Sequence, residues 1–244
     1  MNGAGEGKIG RFHRLCPSNV QTRRGGSSMR RSLIVIIVAF SLALPLSAQQ
    51  QPSLIWDELI KENGKFAAGP SLTLDVSKRL PGGQQPAVTV LSCADSRVPP
   101  ELVFNQTIGK LFVVRTAGNV ASPFDIASIE YAIIQEPTWT RLIVVLGHSD
   151  CGAVKTALGG GTTDSTPINE LLARIRESFI GIHPWSTDKP VLKQATKLNA
   201  RQSAAYLVAH SQIIRAATTR IIGPVLIVSA YYDLDSGKVE RIPD

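Results

Sequence analysis

Two short stretches of this 244-residue chain carry residue types that do chemistry: Leu91-Ser92-Cys93-Ala94-Asp95-Ser96-Arg97 and Gly147-His148-Ser149-Asp150-Cys151-Gly152. Two thiolates and one imidazole are soft-to-borderline donors suited to Zn²⁺, and three protein ligands leave a tetrahedral ion one open position, as a catalytic zinc requires. Asp95 stands two residues beyond the first cysteine, within reach of that position. Arg97, two further on, offers a planar fork that matches a carboxylate. The same residues also admit a plainer reading, an ordinary loop ion pair beside a Cys93–Cys151 disulfide.

Each stretch directly follows a run that reads as a buried strand, Ala87 to Leu91 and Leu142 to Leu146, apolar throughout apart from Thr89. Laid side by side as parallel strands, these runs bring Cys93, His148 and Cys151 together at their carboxyl ends, where open α/β sheets place their ligands. A helix is predicted to start at Gly152-Ala153-Val154. Its unpaired N–H groups and dipole would lower the pKa of the Cys151 thiol and help it to ligate.

Cys-x-Asp-x-Arg followed well downstream by His-x-x-Cys is similar to the signature of the β-class carbonic anhydrases, and the stretch from about Gln84 to Gly152 resembles that family almost throughout. The resemblance implies a single α/β domain with a mostly parallel central sheet flanked by helices and a C-terminal antiparallel extension. It implies one Zn²⁺ per subunit on Cys93, His148 and Cys151, and reversible hydration of CO₂ to bicarbonate and a proton by attack of zinc-bound hydroxide. It favours metal over disulfide, because a simple staple has no use for Asp95, Arg97 and His148. In this reading Asp95 accepts a hydrogen bond from the zinc-bound water and Arg97 holds Asp95 off the metal. Gln84, Phe112 and Tyr131 match pocket residues of plant-type members, Tyr131 entering the neighbouring subunit's site, and Gly152 joins them at the pocket. A homodimer or dimer of dimers follows from the same likeness. Some members carry a regulatory bicarbonate pocket built on a Trp, an Arg and a Tyr. Here Val90 stands at the Trp position while Arg115 matches the arginine, so an open zinc site is expected at neutral pH. The same zinc chemistry on carbon disulfide or another heterocumulene, and a catalytically silent zinc protein, are the rival readings.

The formal charge of +7 sits almost wholly at the start of the chain. Residues 1–48 hold Lys8, Arg11, Arg14, Arg23, Arg24, Arg30 and Arg31 against Glu6 alone, and so supply +6 of it. The near-neutral remainder removes the case for a nucleic-acid or acidic partner. Met29-Arg30-Arg31, the apolar run Leu33 to Leu46 and Leu46-Ser47-Ala48 read as the basic, apolar and cleavage regions of a signal peptide. The apolar run covers 14 residues and contains Pro45, short of the roughly 20 that span a bilayer, so no stable membrane anchor is expected. Residues 1–28 are patternless and are read as an unstructured or mis-assigned upstream segment, 29–48 as the signal peptide, and 49–244 as one catalytic domain. A periplasmic or secreted location follows. With Cys16 in the leader, only Cys93 and Cys151 remain in the exported chain. Zinc would have to fill the site early, since an empty one offers two adjacent thiols to an oxidising compartment.

The rest of the chain reads in order as follows. Leu54 to Phe66 is an amphipathic helix, of a kind that in the family commonly lies across a partner subunit, and Leu72 to Leu80 a further short segment before Pro81-Gly82-Gly83. Leu111 to Val114 is a short strand ending at Arg115. Ser122-Pro123-Phe124-Asp125 opens a helix that runs to about Gln135 with Ile126, Ile129 and Ile133 on one face. Ile168, Leu171, Leu172, Ile175 and Phe179 mark another. One long helical segment with Leu207, Ile213, Ile214 and Ile221 is predicted to end at Gly223-Pro224. A strand at Val225 to Val228 and a separate hairpin from Tyr231 to Ile242, turning at Asp235-Ser236-Gly237, close the chain. His183 and His210 read as surface or packing residues.

Overall fold

Strand signals made of β-branched and leucine side chains become a central parallel sheet in the computed structural model, which describes residues 51–69, 84–135, 140–182, 186–221 and 223–243. The leader, the Leu72 to Leu80 segment and His183 lie outside these described residues. Among them no helix is long and apolar enough to cross a membrane.

Five strands, β1 (Val88–Ser92), β2 (Leu111–Arg115), β3 (Leu142–His148), β4 (Leu226–Tyr232) and β5 (Val239–Arg241), form one sheet in the order β2-β1-β3-β4-β5. The first four are parallel and β5 is antiparallel to β4. β1 and β3 are buried along their whole length, which is why both read as continuous apolar runs rather than as alternating ones. Their side chains still alternate between faces. Val88, Val90, Leu142, Val144 and Leu146 pack with Ile55, Trp56 and Leu59 of helix α1 (Pro52–Ala67). Leu91, Ile143 and Val145 pack on the other side with Ile126, Ile129 and Ile133 of α3 (Pro123–Ile134) and with Leu207 and Ile214. Burying each such leucine or isoleucine contributes about 1.5–3 kcal/mol. The short α2 (Pro100–Val103) follows the first loop.

α3 begins with the capping box that Ser122, Pro123 and Asp125 predict. α4 (Gly152–Leu158) and α5 (Thr166–Arg176) cover the carboxyl end of the sheet, and Val154, Leu158, Leu172 and Ile175 make a third apolar cluster around Cys93 and Cys151. α1 turns its buried face to its own chain. Asn63 donates to the Val103 and Gly237 carbonyls at 2.9 Å and accepts from the Val239 N–H at 2.8 Å, tying α1 to the far edge of the sheet.

Two expectations need correcting. The long C-terminal helical segment is two helices, α6 (Lys189–His210) and α7 (Gln212–Thr218), divided at Ser211. Ser211 takes an extended backbone, caps α7 by accepting from the Ile214 N–H, and donates to Glu130 on α3. The apolar period runs on through this break, so periodicity cannot reveal it. Likewise the strand at 225–228 and the start of the hairpin at Tyr231 are one strand, β4, continued through the small residues Ser229 and Ala230.

Candidate metal centre

The register of the sheet sets the site. Ser92, the last residue of β1, lies beside Leu146 of β3, so the chain leaves β1 toward Cys93 next to the point where β3 runs on to His148. Cys151 caps the start of α4 three residues later. The two sulfurs and an imidazole nitrogen lie within 4.8 Å of one another, the one such group among the described residues. Cys93, His148 and Cys151 are all buried.

These donors fit a zinc ion on three counts. The sulfurs are unbonded and 3.9 Å apart, close to the roughly 3.8 Å that two 2.3 Å Zn–S bonds subtend at a tetrahedral angle. A disulfide would bring them to about 2.05 Å, so the bridge reading is not the arrangement here. His148 Nδ1 lies 2.8 Å from the Ser149 carbonyl oxygen. A carbonyl only accepts, so Nδ1 carries the proton and Nε2 of the neutral ring holds a lone pair. That Nε2 is fully buried with no hydrogen-bond partner among the described residues, an arrangement that is costly unless something occupies the lone pair.

The two sulfurs bear on each other's protonation in opposite directions. The hydrogen bond from Cys151 lowers the pKa of the Cys93 thiol, with the Gly118 N–H acting in the same direction. The same bond, together with burial, pushes the Cys151 thiol up. The expected lowering at Cys151 is therefore overridden in this state: the Ala153 and Val154 N–H groups of α4 do act on it, but more weakly than its neighbouring sulfur. A metal-stripped chain lacking residues 1–48 and so Cys16, exposed to mild oxidant, is expected to lose both thiols to thiol titration and then fail to take up zinc until reduced. Persistence of two titratable thiols under those conditions would contradict the proximity described here.

Asp95 stands at the edge of this cluster, gripped by Arg97. Arg97 Nε donates to Oδ1 at 2.9 Å, its backbone N–H to the same oxygen at 3.0 Å, and Nη2 to Oδ2 at 2.7 Å. Oδ2 is 3.8 Å from His148 Nε2. Arg97 also donates to the Asp150 carbonyl at 3.2 Å and so joins the two loops. These bonds hold the Asp95 carboxyl well below the usual carboxylate range, against the opposing effect of burial. Its contribution to stability is therefore complete above the unfolded carboxylate value and is lost only as the pH falls through the lower folded one.

Arg115, which matches the regulatory arginine by motif alone, is committed to the first loop: Nε donates to the Cys93 carbonyl at 3.0 Å and Nη2 to that of Asp95 at 2.6 Å. Val90 is buried in β1. Gly152 is exposed as the first residue of α4 and Gln84 is exposed ahead of β1. Phe112 and Tyr131 form a separate pair, ring centroids 6.5 Å apart. Phe112 sits opposite Thr89, about 10 Å or more along the sheet from Cys93. His210 is exposed and stacks on Tyr206. Ser149, which no motif singled out, anchors the second loop: its N–H donates to the Tyr232 carbonyl at 2.9 Å and its hydroxyl accepts from the Leu234 N–H at 2.8 Å.

A parallel α/β sheet with a buried Cys-His-Cys centre at its carboxyl edge defines a mononuclear zinc protein. The carbonic anhydrase family matches residues 88–239. Carbonic anhydrase 2 of Mycobacterium tuberculosis is 36% identical over 198 residues, covering 77% of this chain and 91% of that protein. The carbonic anhydrase of Mycolicibacterium smegmatis is 35% identical over 198 residues, covering 78% and 92%. A β-carbonic anhydrase of Coccomyxa, solved in complex with acetazolamide, superposes with a TM-score of 0.60 at 26% identity over 81% of this chain and 86% of that one. A tetrameric β-carbonic anhydrase of Sordaria macrospora shares the fold with a TM-score of 0.60 at 22% identity over 78% and 98%. The chain belongs to the β-carbonic anhydrase family and is a zinc lyase that interconverts CO₂ and bicarbonate.

Proposed function

We propose that CO₂ hydration in this chain runs at the Cys93, His148 and Cys151 centre with Asp95 and Arg97 as its ordering pair. The observation that carries this reading is the buried, unpartnered Nε2 of His148 beside two unbonded sulfurs. Zinc held there supplies a Lewis acid able to bring the pKa of water to about 7, the value established for a carbonic anhydrase with three histidine ligands. Asp95, ionised across the working pH range, accepts the hydrogen bond that orients the attacking water. Arg97 donates to both carboxylate oxygens, and so keeps Asp95 ionised while restraining it from swinging onto the metal. This favours an open site at neutral pH.

Gln84, Phe112, Tyr131 and Gly152 complete the pocket in this proposal, Tyr131 and Phe112 by serving the site of a second subunit. Support comes from the far edge of the sheet. β2 is an edge strand, and beside it α3 exposes Phe124 (85%), Tyr131 (47%) and Ile134 (57%), an apolar face that a partner copy would cover. A homodimer or dimer of dimers follows. Phe124→Asp with Tyr131→Ala is expected to shift the sedimenting species to monomer and lower turnover at least severalfold while zinc content stays near one per chain. An unchanged oligomer with unchanged turnover would contradict this.

Export to the periplasm or beyond, with removal of 29–48, is part of the same proposal; a cut after Ala48 falls ahead of α1 and severs no described element. Stopped-flow CO₂ hydration on the zinc-loaded chain starting at Gln49 tests the function. Proton release that follows zinc content supports it. Turnover of carbon disulfide alone, or of neither substrate, would overturn it.

A further inference from the structure

Two thiolates donate more charge to a metal ion than two imidazoles would, which by itself makes the ion a poorer Lewis acid. Cys93 carries a counterweight. Its sulfur accepts a hydrogen bond from the Gly118 N–H at 3.2 Å, and such a bond draws charge off a thiolate. Gly118 belongs to the 3₁₀ turn Ala117–Asn119 between β2 and α3, at φ 68°, and Asn119 follows at φ 47°. Two successive left-handed residues persist only where their surroundings hold them. A Cβ on Gly118 would stand 2.7 Å from Ile175 Cδ1 and 3.3 Å from Ala153 Cβ, so glycine is required there for both conformation and space.

The holding group comes from α6, about eighty residues later. Asn199 Nδ2 donates to the Gly118 carbonyl at 2.7 Å and lies 3.5 Å from Asn119 Oδ1. Asn199 is 2% exposed and holds the carbonyl of the same residue whose N–H meets the Cys93 sulfur. One helical turn earlier, Thr196 presses on the second ligand segment: a Cβ on Gly147, next to His148, would stand 2.9 Å from Thr196 Cγ2. One face of α6 therefore bears on both segments that carry ligands.

We propose that Asn199 is a positioning residue of the metal centre: by pinning the Gly118 turn it keeps an N–H on the Cys93 sulfur, weakens that thiolate's donation and so keeps the bound ion acidic. The inference rests on the Cys93, His148 and Cys151 metal reading and is independent of which substrate the ion activates.

Nuclear magnetic resonance of the ¹⁵N-labelled chain loaded with ¹¹³Cd²⁺ tests it directly. The expected result is a scalar coupling between the Gly118 amide proton and the cadmium through the Cys93 sulfur. That coupling should collapse in N199L, which keeps the branching at Cγ without the donor, and in the milder N199S. With Co²⁺ in place of zinc, both variants should move the sulfur-to-metal charge-transfer bands to longer wavelength while keeping tetrahedral ligand-field intensity. A wild-type chain without the coupling overturns the proposal whether or not a variant folds. So does a variant whose coupling and charge-transfer bands are unchanged while only its melting temperature falls. The ¹¹³Cd chemical shift counts the coordinating sulfurs separately, so failure of the metal reading is distinguishable from failure of the role given to Asn199.

Discussion

His148→Ala purifies without stoichiometric zinc and hydrates CO₂ no faster than buffer, a loss of roughly 10³-fold or more, because the Lewis acid is gone. Two observations set this expectation. The imidazole is wholly buried and its Nε2 has no hydrogen-bond partner among the described residues, so a metal ion is the bonding use left for that nitrogen. The remaining donors are two sulfurs 3.9 Å apart, which without the third ligand are free to oxidise. Metal binding is also folding free energy, so the melting temperature should fall with the zinc. Elemental analysis beside stopped-flow hydration checks all three quantities. A variant that kept one zinc per chain and most of its turnover would show that the ion is held elsewhere.

Asp95→Asn has the opposite signature: zinc stays and turnover goes, by about 10² to 10⁴-fold, the range over which a positioned proton acceptor accelerates a reaction. The carboxylate is not one of the three clustered donors, so removing its charge leaves the metal ligands untouched. What changes is the acceptor. Arg97 holds a carboxylate with donors on both oxygens, whereas an amide presents one oxygen and one N–H₂, which must either face the guanidinium unfavourably or donate where acceptance is needed. Arg97→Leu should reproduce part of this loss, because Asp95 is then no longer restrained and the link to the Asp150 carbonyl is broken. Full activity in D95N would remove Asp95 from the mechanism.

The metal ligands were legible because each stands at or within three residues of the end of a strand whose apolar run is unmistakable, and because a parallel sheet brings such ends together. Helix α3 was legible for a local reason as well, its capping box being written in four consecutive residues. What escaped the sequence shares one physical property: it depends on contacts between distant segments. Asn199 looks like any polar residue in a helix until its amide is seen against Gly118, and Gly118 looks like a loop glycine until its N–H is seen on a sulfur. Ser211 breaks α6 from α7 through a bond to Glu130, eighty-one residues earlier, which no periodicity encodes. Arg115 matched a regulatory position by motif, yet the structure commits it to the Cys93 and Asp95 carbonyls.

Zinc X-ray absorption on the purified chain starting at Gln49 measures the donor set without reference to activity or to any variant. Two sulfur scatterers near 2.3 Å with nitrogen or oxygen scatterers near 2.0–2.1 Å are the expected first shell. A shell of nitrogen and oxygen alone, or a zinc-free protein whose sulfurs lie at the bonded distance of about 2.05 Å, would contradict the assignment of Cys93, His148 and Cys151 as the metal centre.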